Sequence, residues 1–355
     1  MPAKPSADKK PEQPVVYPAW WKRPSGGIAT GFINERGEIV FESEFALCDR
    51  FRDGRAYCVK GGIVTYLDRK FRPAFQINNG RGYEFGHGYA RVTSNLSEHQ
   101  AVMGLVDIAG NLVVDFQFED VGPIVDNCFY GQPAKDNPHQ AVHLYDAESR
   151  VLARHVGVSA SGHVASEGLV VSLGTGASWG YRDTTGAWAI PARFDDPHDF
   201  HDGLAAVALR EKKHFRWFFI DRHGETVLAD PSWRCVHVDF HDGVAAVGRN
   251  LKGNRYGVAF IKRSGESLTE YEYFNVGPFE GGLAPVANQR NKWGYLDLSG
   301  KNALPFAYDQ ACPFEGSLAL VQLKKRYHYI SRHGDIVFSL PEYYLGEYHL
   351  RISRP

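Results

Sequence analysis

The feature that most limits what this chain can become is a short hairpin element that recurs nine times. It reads GFINERG at 31–37, TYLDRKF at 65–71, GLVDIAG at 104–110, HLYDAES at 143–149 and GYRDTTG at 180–186. It continues as FFIDRHG at 218–224, AFIKRSG at 259–265, GYLDLSG at 294–300 and HYISRHG at 328–334. The fourth position falls at 34, 68, 107, 146, 183, 221, 262, 297 and 331, a spacing of 34 to 41 residues. Asp holds it in six copies: Asp68, Asp107, Asp146, Asp183, Asp221 and Asp297. Gly follows three residues later in seven: Gly37, Gly110, Gly186, Gly224, Gly265, Gly300 and Gly334. Only 37 of the 355 residues are Gly, so seven in nine stands well above background.

The chemistry of the element is readable. Asp at the first position of a type I turn accepts N–H bonds from its own turn, and Gly at the fourth supplies the positive φ that closes the hairpin with a bulge. The D-x-x-G turn therefore predicts two antiparallel strands, such as Trp217–Ile220 before one turn and Ala187–Ile190 after another. About twenty residues further on lies a second marker: FRDGRAYCV (51–59), FGHGYARV (85–92), FHDGLAAVAL (200–209), FHDGVAAVG (240–248), FEGGLAPV (279–286) and FEGSLALV (314–321). Aromatic, acid, Gly and an alternating apolar run read as a turn feeding a strand. No stretch carries a helical period of adequate length.

The expectation is an all-β chain, a tandem repeat of about nine three-stranded antiparallel units. One unit buries too little apolar area to stand alone, so neighbours must stack into a continuous core. Two arrangements follow: an open or spiral array, or a propeller-like ring. Three strands and nine units favour the open array, because propeller blades usually have four strands and number four to eight.

The segments WGYRDTTG (179–186) and NKWGYLDLSG (291–300) resemble tryptophan–glycine (WG) repeats, found mainly in bacterial proteins. The structural signature there is Trp179, Gly180, Asp183 and Gly186, with Trp217, Asp221, Gly224, Trp293, Gly294, Asp297 and Gly300 in later copies. Elsewhere the pair drifts to Trp217-Phe218, Tyr256-Gly257, Met103-Gly104 and Tyr327-His328. The resemblance implies a β-rich repeat scaffold over about residues 25–340 and brings no catalytic residues with it. Within a strand, Trp293 and Tyr295 share one face and Gly294 lies on the other. The Trp/Tyr ladder is expected to fill the space between units, with the Gly admitting a neighbouring backbone.

Three domains are expected: a disordered tail over 1–24, the repeat array over 25–340 and a C-terminal cap over 341–355. The tail is rich in Pro and Lys, though Tyr17, Trp20 and Trp21 near its end suit a cap on the first repeat or a docking motif. It lacks the apolar core of a secretory signal. The longest apolar run, Leu204–Leu209, is far shorter than the roughly 18 residues that span a bilayer. Lys plus Arg number 40 and Asp plus Glu 41, which gives no global reason to bind nucleic acid or acidic lipid. Five cysteines without metal-type spacing suggest a reducing, cytoplasmic setting.

Four groups of candidate residues stand out. His237, Asp239 and His241 alternate in HVDFHDG and would share a strand face, as metal ligands do; the recurring FxDG turn explains them as well, and no metal is assigned. Basic residues recur just before the third strand: Arg210, Lys212 and Lys213, then Arg249, Lys252 and Arg255, then Arg290 and Lys292, then Lys324 and Lys325. Sharing a repeat phase, they should form a stripe along one edge, suited first to an acidic protein surface and second to nucleic-acid phosphate, though lysines at hairpin tips also serve merely to block edge pairing. Trp188 and Trp233 lie off the main ladder and could serve as stacking platforms for a glycan or small ligand. Units near 104–178 are degraded and hold the insert GQPAKDNPHQ (131–140) and the segment SASGHVASEG (159–168), where a surface could be specialised. There is no nucleophile elbow, P-loop, CxxC pair, H-E-x-x-H or dinucleotide fingerprint. The expectation is thus a non-enzymatic, cofactor-free scaffold that binds another protein, the alternative being a glycan- or ligand-binding module.

Overall fold

The computed structural model describes residues 15–341 apart from 79, 96–100, 135–141, 158–163, 213 and 254. Every regular element among them is a β-strand except one 3-10 turn, Thr175–Ala177. The nine repeats, units 1 to 9, become antiparallel sheets whose strands are neighbours in chain order, one sheet to a unit except that units 3 and 4 are joined. Unit 8 shows the plan. A short inner strand, Asn275–Val276, is followed by Leu283–Ala287, Trp293–Asp297 and the outer strand Asn302–Tyr308. Units 2, 6 and 9 repeat this plan, and units 1, 5 and 7 have three strands. Units 3 and 4 share the long strand Leu112–Val121 in one seven-stranded sheet. The all-β repeat of about nine units is what the structure has, with a short inner strand added in four of them.

The D-x-x-G turn is built as its chemistry requires. The Asp297 carboxylate accepts from the Ser299 amide at 2.8 Å and the Lys301 amide at 3.1 Å, and Gly300 N–H donates to the Asp297 carbonyl at 2.9 Å. The Ser299 hydroxyl and the Lys301 amide hold the Asp297 carboxyl below its usual range. Gly300 has φ +79°, and a side chain there would also meet the Leu268 carbonyl of unit 7 at 2.8 Å. The turn glycine is thus a packing residue as well as a turn residue: it seats one unit on the outer strand of the unit before.

The Trp-Gly glycine works differently. At Gly294 a Cβ would lie 2.8 Å from the Leu304 carbonyl, where the pairing with the outer strand shifts register between Trp293 and Tyr295. The backbone it admits is the outer strand of its own unit. The residue after it forms the core. Phe32, Tyr66, Leu105, Leu144, Tyr181, Phe219, Phe260, Tyr295 and Tyr329 occupy this place in units 1 to 9, and all are buried. Trp293 is only half-buried at the rim of the cluster between units 8 and 9. The ladder that fills the inter-unit space therefore runs through the tyrosine position, with Trp179 and Trp293 half-buried at its edge and Trp217 alone among the three buried within it. Both side chains of the Trp293 and Tyr295 pair face the same cluster, but Tyr295 is fully buried in it while Trp293 lies two residues nearer the hairpin tip, at its end.

Where that residue is tyrosine, its hydroxyl pins the next unit. Tyr66 Oη donates to the Tyr83 carbonyl at 2.8 Å, Tyr181 Oη to that of His198 at 2.7 Å and Tyr295 Oη to that of Cys312 at 2.7 Å. Each reaches seventeen residues ahead, to the inner edge of the following sheet. Tyr329 has no unit after it in the chain; its hydroxyl donates to the Pro18 carbonyl at 2.9 Å.

That bond joins the two ends. Among the described residues nine apolar clusters each lie between two neighbouring units. Nine units in an open array have eight such junctions. The ninth packs Tyr17, Ala19 and Ile33 of unit 1 against Leu318, Leu320 and Tyr329 of unit 9. Tyr17 Oη donates to the Glu315 carbonyl at 2.7 Å, Gly37 abuts Val337, and Arg50 of unit 2 reaches Glu315 at 3.3 Å. Of the two arrangements the repeat permits, the structure takes the ring. Four-stranded units and a first unit able to bury its outer face against the last make this possible.

Part of the segment expected as tail belongs to the ring. Tyr17–Lys22 is the first strand of unit 1, paired with Ile28–Ile33. Its alternation (Tyr17 and Ala19 in, Pro18 out) is that of a strand with one packed face. Residues 1–14 and 342–355, with the rest of the expected tail and nearly all of the expected cap, lie outside the described residues, as does most of the 131–140 insert. Cys48 and Cys58 face each other on paired strands and form a disulfide, so the odd cysteine count no longer speaks for a reducing compartment. No helix among the described residues is long and apolar enough to cross a membrane.

Tyr295→Ala should cost about 3–5 kcal/mol and Tyr295→Phe about 1 kcal/mol, the latter by leaving the Cys312 carbonyl unpaired. Trp293→Ala should cost less than half of the Tyr295→Ala loss. Denaturant midpoints of the three variants measure this; a Trp293 loss as large as that at Tyr295 would restore the tryptophan ladder.

Candidate functional site: the hairpin-tip face

The ring has two unlike faces. On one lie the D-x-x-G turns and the FxDG turns; on the other lie the tips joining the second and third strands of each unit. The FxDG turns are two-residue hairpins with both central residues at positive φ, as in Asp53 (48°) and Gly54 (78°). Their acids were expected to bond within their own turns. Instead they clasp the next unit. Gly88 N–H donates to Asp53 at 2.8 Å, Gly168 N–H to Asp126 at 2.8 Å, Gly203 N–H to Glu167 at 2.9 Å and Gly243 N–H to Asp202 at 2.9 Å. A first-position acid can do this because the left-handed backbone turns its side chain out of the hairpin, towards the neighbour's amide.

The possible metal set does not assemble. Asp239 pairs with His198 of the preceding unit at 2.8 Å, while His237 Nε2 meets the Tyr256 hydroxyl at 2.7 Å. Register shifts between Val236 and Val238 and between Val238 and His241 break the alternation that would have aligned the three side chains. Among the described residues no three His, Cys, Asp or Glu gather at metal-binding range. Burial opposes a charged imidazole at His198, but the hydrogen bond and charge of Asp239, with Asp196 and Asp199 near, outweigh it and raise its pKa. Burial lowers the pKa of His237.

The cysteines are not primed for attack. Burial pushes the Cys128 thiol up to about 12 and the Cys312 thiol to about 11, and Cys235, also raised by burial, faces the Tyr256 hydroxyl at 2.5 Å. A nucleophilic thiol needs the opposite shift. The two expected stacking platforms are engaged. Trp233 is buried, with Nε1 donating to Tyr271 Oη at 3.1 Å. Trp188 is 38% exposed, but the Arg182 guanidinium lies 3.9 Å from its ring centre and covers one face.

The tip face holds the basic stripe. Unit 6 contributes Arg210 and Lys212, both exposed, with the Arg210 guanidinium 5.2 Å from the Phe215 ring; Lys213 lies outside the described residues. In unit 7, Arg249 stacks on Tyr271 at 3.7 Å, while Lys252 and Arg255 are exposed at the turn. In unit 8, Arg290 is exposed and Lys292 pairs with Asp309 at 2.5 Å. In unit 9, Lys324 and Lys325 form the whole turn between the paired residues Leu323 and Arg326. All the described members lie on this one face, as their shared repeat phase predicts. Ring closure adds what the sequence could not: the tips of units 1 and 2, with Lys22, Arg23 and Lys60, come next to unit 9. The tip of unit 5, Gly174–Ser178, carries no charge.

A family model described as WG containing repeat matches residues 31–62, 103–130, 179–212, 259–293 and 293–327. No curated protein matches the sequence. Among solved structures, BamB from Moraxella catarrhalis is similar at 15% identity and TM-score 0.40, over 80% of this chain and 92% of that one. Hsv2p from Kluyveromyces lactis is similar at 9% identity and TM-score 0.42, over 72% of this chain and 93% of that one. The tricorn protease is similar at 11% identity and TM-score 0.31, over 89% of this chain and 37% of that one.

Raising the pH through the folded pKa of His198 should remove the stabilisation that its Asp239 partner supplies. The sign follows from the raised pKa: the stabilisation is complete below the unfolded value of about 6.5 and fades above it. NMR titration of His198 in Asp239→Asn should show its pKa falling; an unchanged value would mean that Asp239 is not the cause.

Proposed function

Because the chain belongs to the WG containing repeat family and joins its units in a ring, we propose that it is a non-enzymatic scaffold that binds another protein through the hairpin tips of units 6 to 9. The observation that carries this reading is the difference between the two faces. The turn face spends its acids and amides on bonds between units. The tip face spends few of its cations: Lys212, Lys252, Arg255, Arg290, Lys324 and Lys325 form no ion pair with a described residue. Variable tips on a rigid repetitive frame are where recognition is usually carried. Support for a role without catalysis comes from cysteines buried with raised pKa and from the separation of His237 and Asp239 into different bonds.

Affinity capture with three baits tests this: the natural chain, a tip variant with Lys212, Lys252, Arg290 and Lys324 changed to Glu, and Lys301→Glu on the turn face. A protein should be retained by the first and third and lost by the second. Recovery of no protein, or of one indifferent to the tip changes, would contradict the proposal.

A further inference from the structure

We infer that the partner presents an acidic polypeptide segment with one large apolar side chain, laid over the tips of units 7, 8, 9 and 1. This rests on the reading of the tip face as the interaction surface. The first observation is strain kept where a cheaper residue exists. Lys324 and Lys325 have φ of +50° and +65°, the left-handed region in which a Cβ crowds the backbone. Unit 2 fills the same two-residue turn, between Lys60 and Ile63, with Gly61 and Gly62 at +58° and +81°. Unit 6 likewise sets Lys212 at +40°. The turn amides bond to Asp309, with Lys325 N–H at 3.5 Å, but glycines would make that bond as well, and neither Lys324 nor Lys325 forms a side-chain ion pair with a described residue, so nothing inside the ring repays the choice of lysine over glycine. Strained positions whose side chains their own fold does not use point to function.

The second observation is charge that lacks an internal counterpart. Four carboxylates on this face are already occupied: Glu42 by Arg23, Glu44 by Lys60, Glu211 by Arg216 and Asp309 by Lys292. Lys252, Arg255, Arg290, Lys324 and Lys325 remain, with Glu270 and Glu272 the acids at the border of units 7 and 8. The closed ring sets Lys22 and Arg23 beside unit 9, so the cationic arc runs on past the end of the chain.

The third observation is an apolar anchor inside that arc. Phe274 is 51% exposed, and its N–H donates to the Ala287 carbonyl, which places it level with the tip of unit 8. Cations to either side of one exposed ring fit a segment of Asp and Glu with a single apolar residue. Single-stranded nucleic acid would need a run of exposed rings to stack successive bases, and among the described residues this face offers one, the rings of Phe215 and Tyr271 being covered by Arg210 and Arg249.

The test uses fluorescence anisotropy with the full chain and a fluorescein-labelled peptide of glutamates around one central leucine. A matching peptide without the leucine and a labelled single-stranded oligonucleotide complete the probes. The natural chain should bind the leucine peptide, more weakly as salt rises. Lys324→Gly with Lys325→Gly should bind it about tenfold more weakly while melting at a higher temperature, because glycine relieves both left-handed positions. Phe274→Ala should erase the preference for the leucine peptide. Lys301→Glu should bind like the natural chain. Unchanged affinity in the double-glycine variant, tighter binding of the oligonucleotide, or no peptide binding at low salt would overturn the inference. Peptide failure with a captured protein still lost from the tip variant would refute the acidic partner and leave the scaffold reading. Peptide binding with no tip-dependent capture would refute the scaffold reading instead.

Discussion

The structure depends on one contact made nine times: a large side chain two residues after the Trp position, buried between its own sheet and the next. Burying a side chain of that size is worth about 1.5–3 kcal/mol, and no single unit can supply the second wall. Each unit is therefore stable only as a neighbour. Where the residue is tyrosine, the hydroxyl bonded to a carbonyl of the next inner strand fixes how far one sheet advances on the other. The turn glycine, seated against the previous outer strand, and the FxDG acid, bonded to the next glycine amide, hold the rim in the same register.

This logic explains why the ends meet. Unit 9 carries Tyr329 with no unit after it in the chain, and an open array would leave that ring and its hydroxyl in water. Unit 1 offers a complementary face: Tyr17, Ala19 and Ile33 pack on Leu318, Leu320 and Tyr329, and Pro18 supplies the carbonyl. The first strand pairs on one side only among the described residues, and Pro18 there has no N–H to leave unpaired. The junction uses the same kind of apolar packing as the other eight, without an exchanged strand.

Much of this was legible in the sequence, for physical reasons. The D-x-x-G turn announces itself because Asp and Gly are the residues whose local chemistry makes that turn, and the strands follow from it. The basic tips could be assigned to one face because repeat phase converts directly into position. Other features were hidden because they depend on what lies across an interface. Asp53 and Asp202 look like turn residues in sequence, and only the next unit shows what their carboxylates bind. Tyr295 looks secondary to Trp293 until the packing shows it fully buried between units with the tryptophan at the rim. In unit 7 the pair was read as Tyr256-Gly257, whereas the turn bonds at Lys262 put Val258-Ala259 in that place. Tyr17–Lys22 lacked a preceding turn marker and so read as tail, although it completes the ring.

Closure is tested most directly by distances between spin labels at equivalent turn positions. Arg36, Thr185, Ser299 and His333 each stand two residues after the fourth position of the hairpin element, in units 1, 5, 8 and 9. With labels introduced in pairs, electron–electron double resonance should give a 36–333 distance that is narrow and equal to the 299–333 distance between adjacent units. It should also be well short of the 185–333 distance across the ring. A 36–333 distance that is the longest of the three would mean that the ends stand apart.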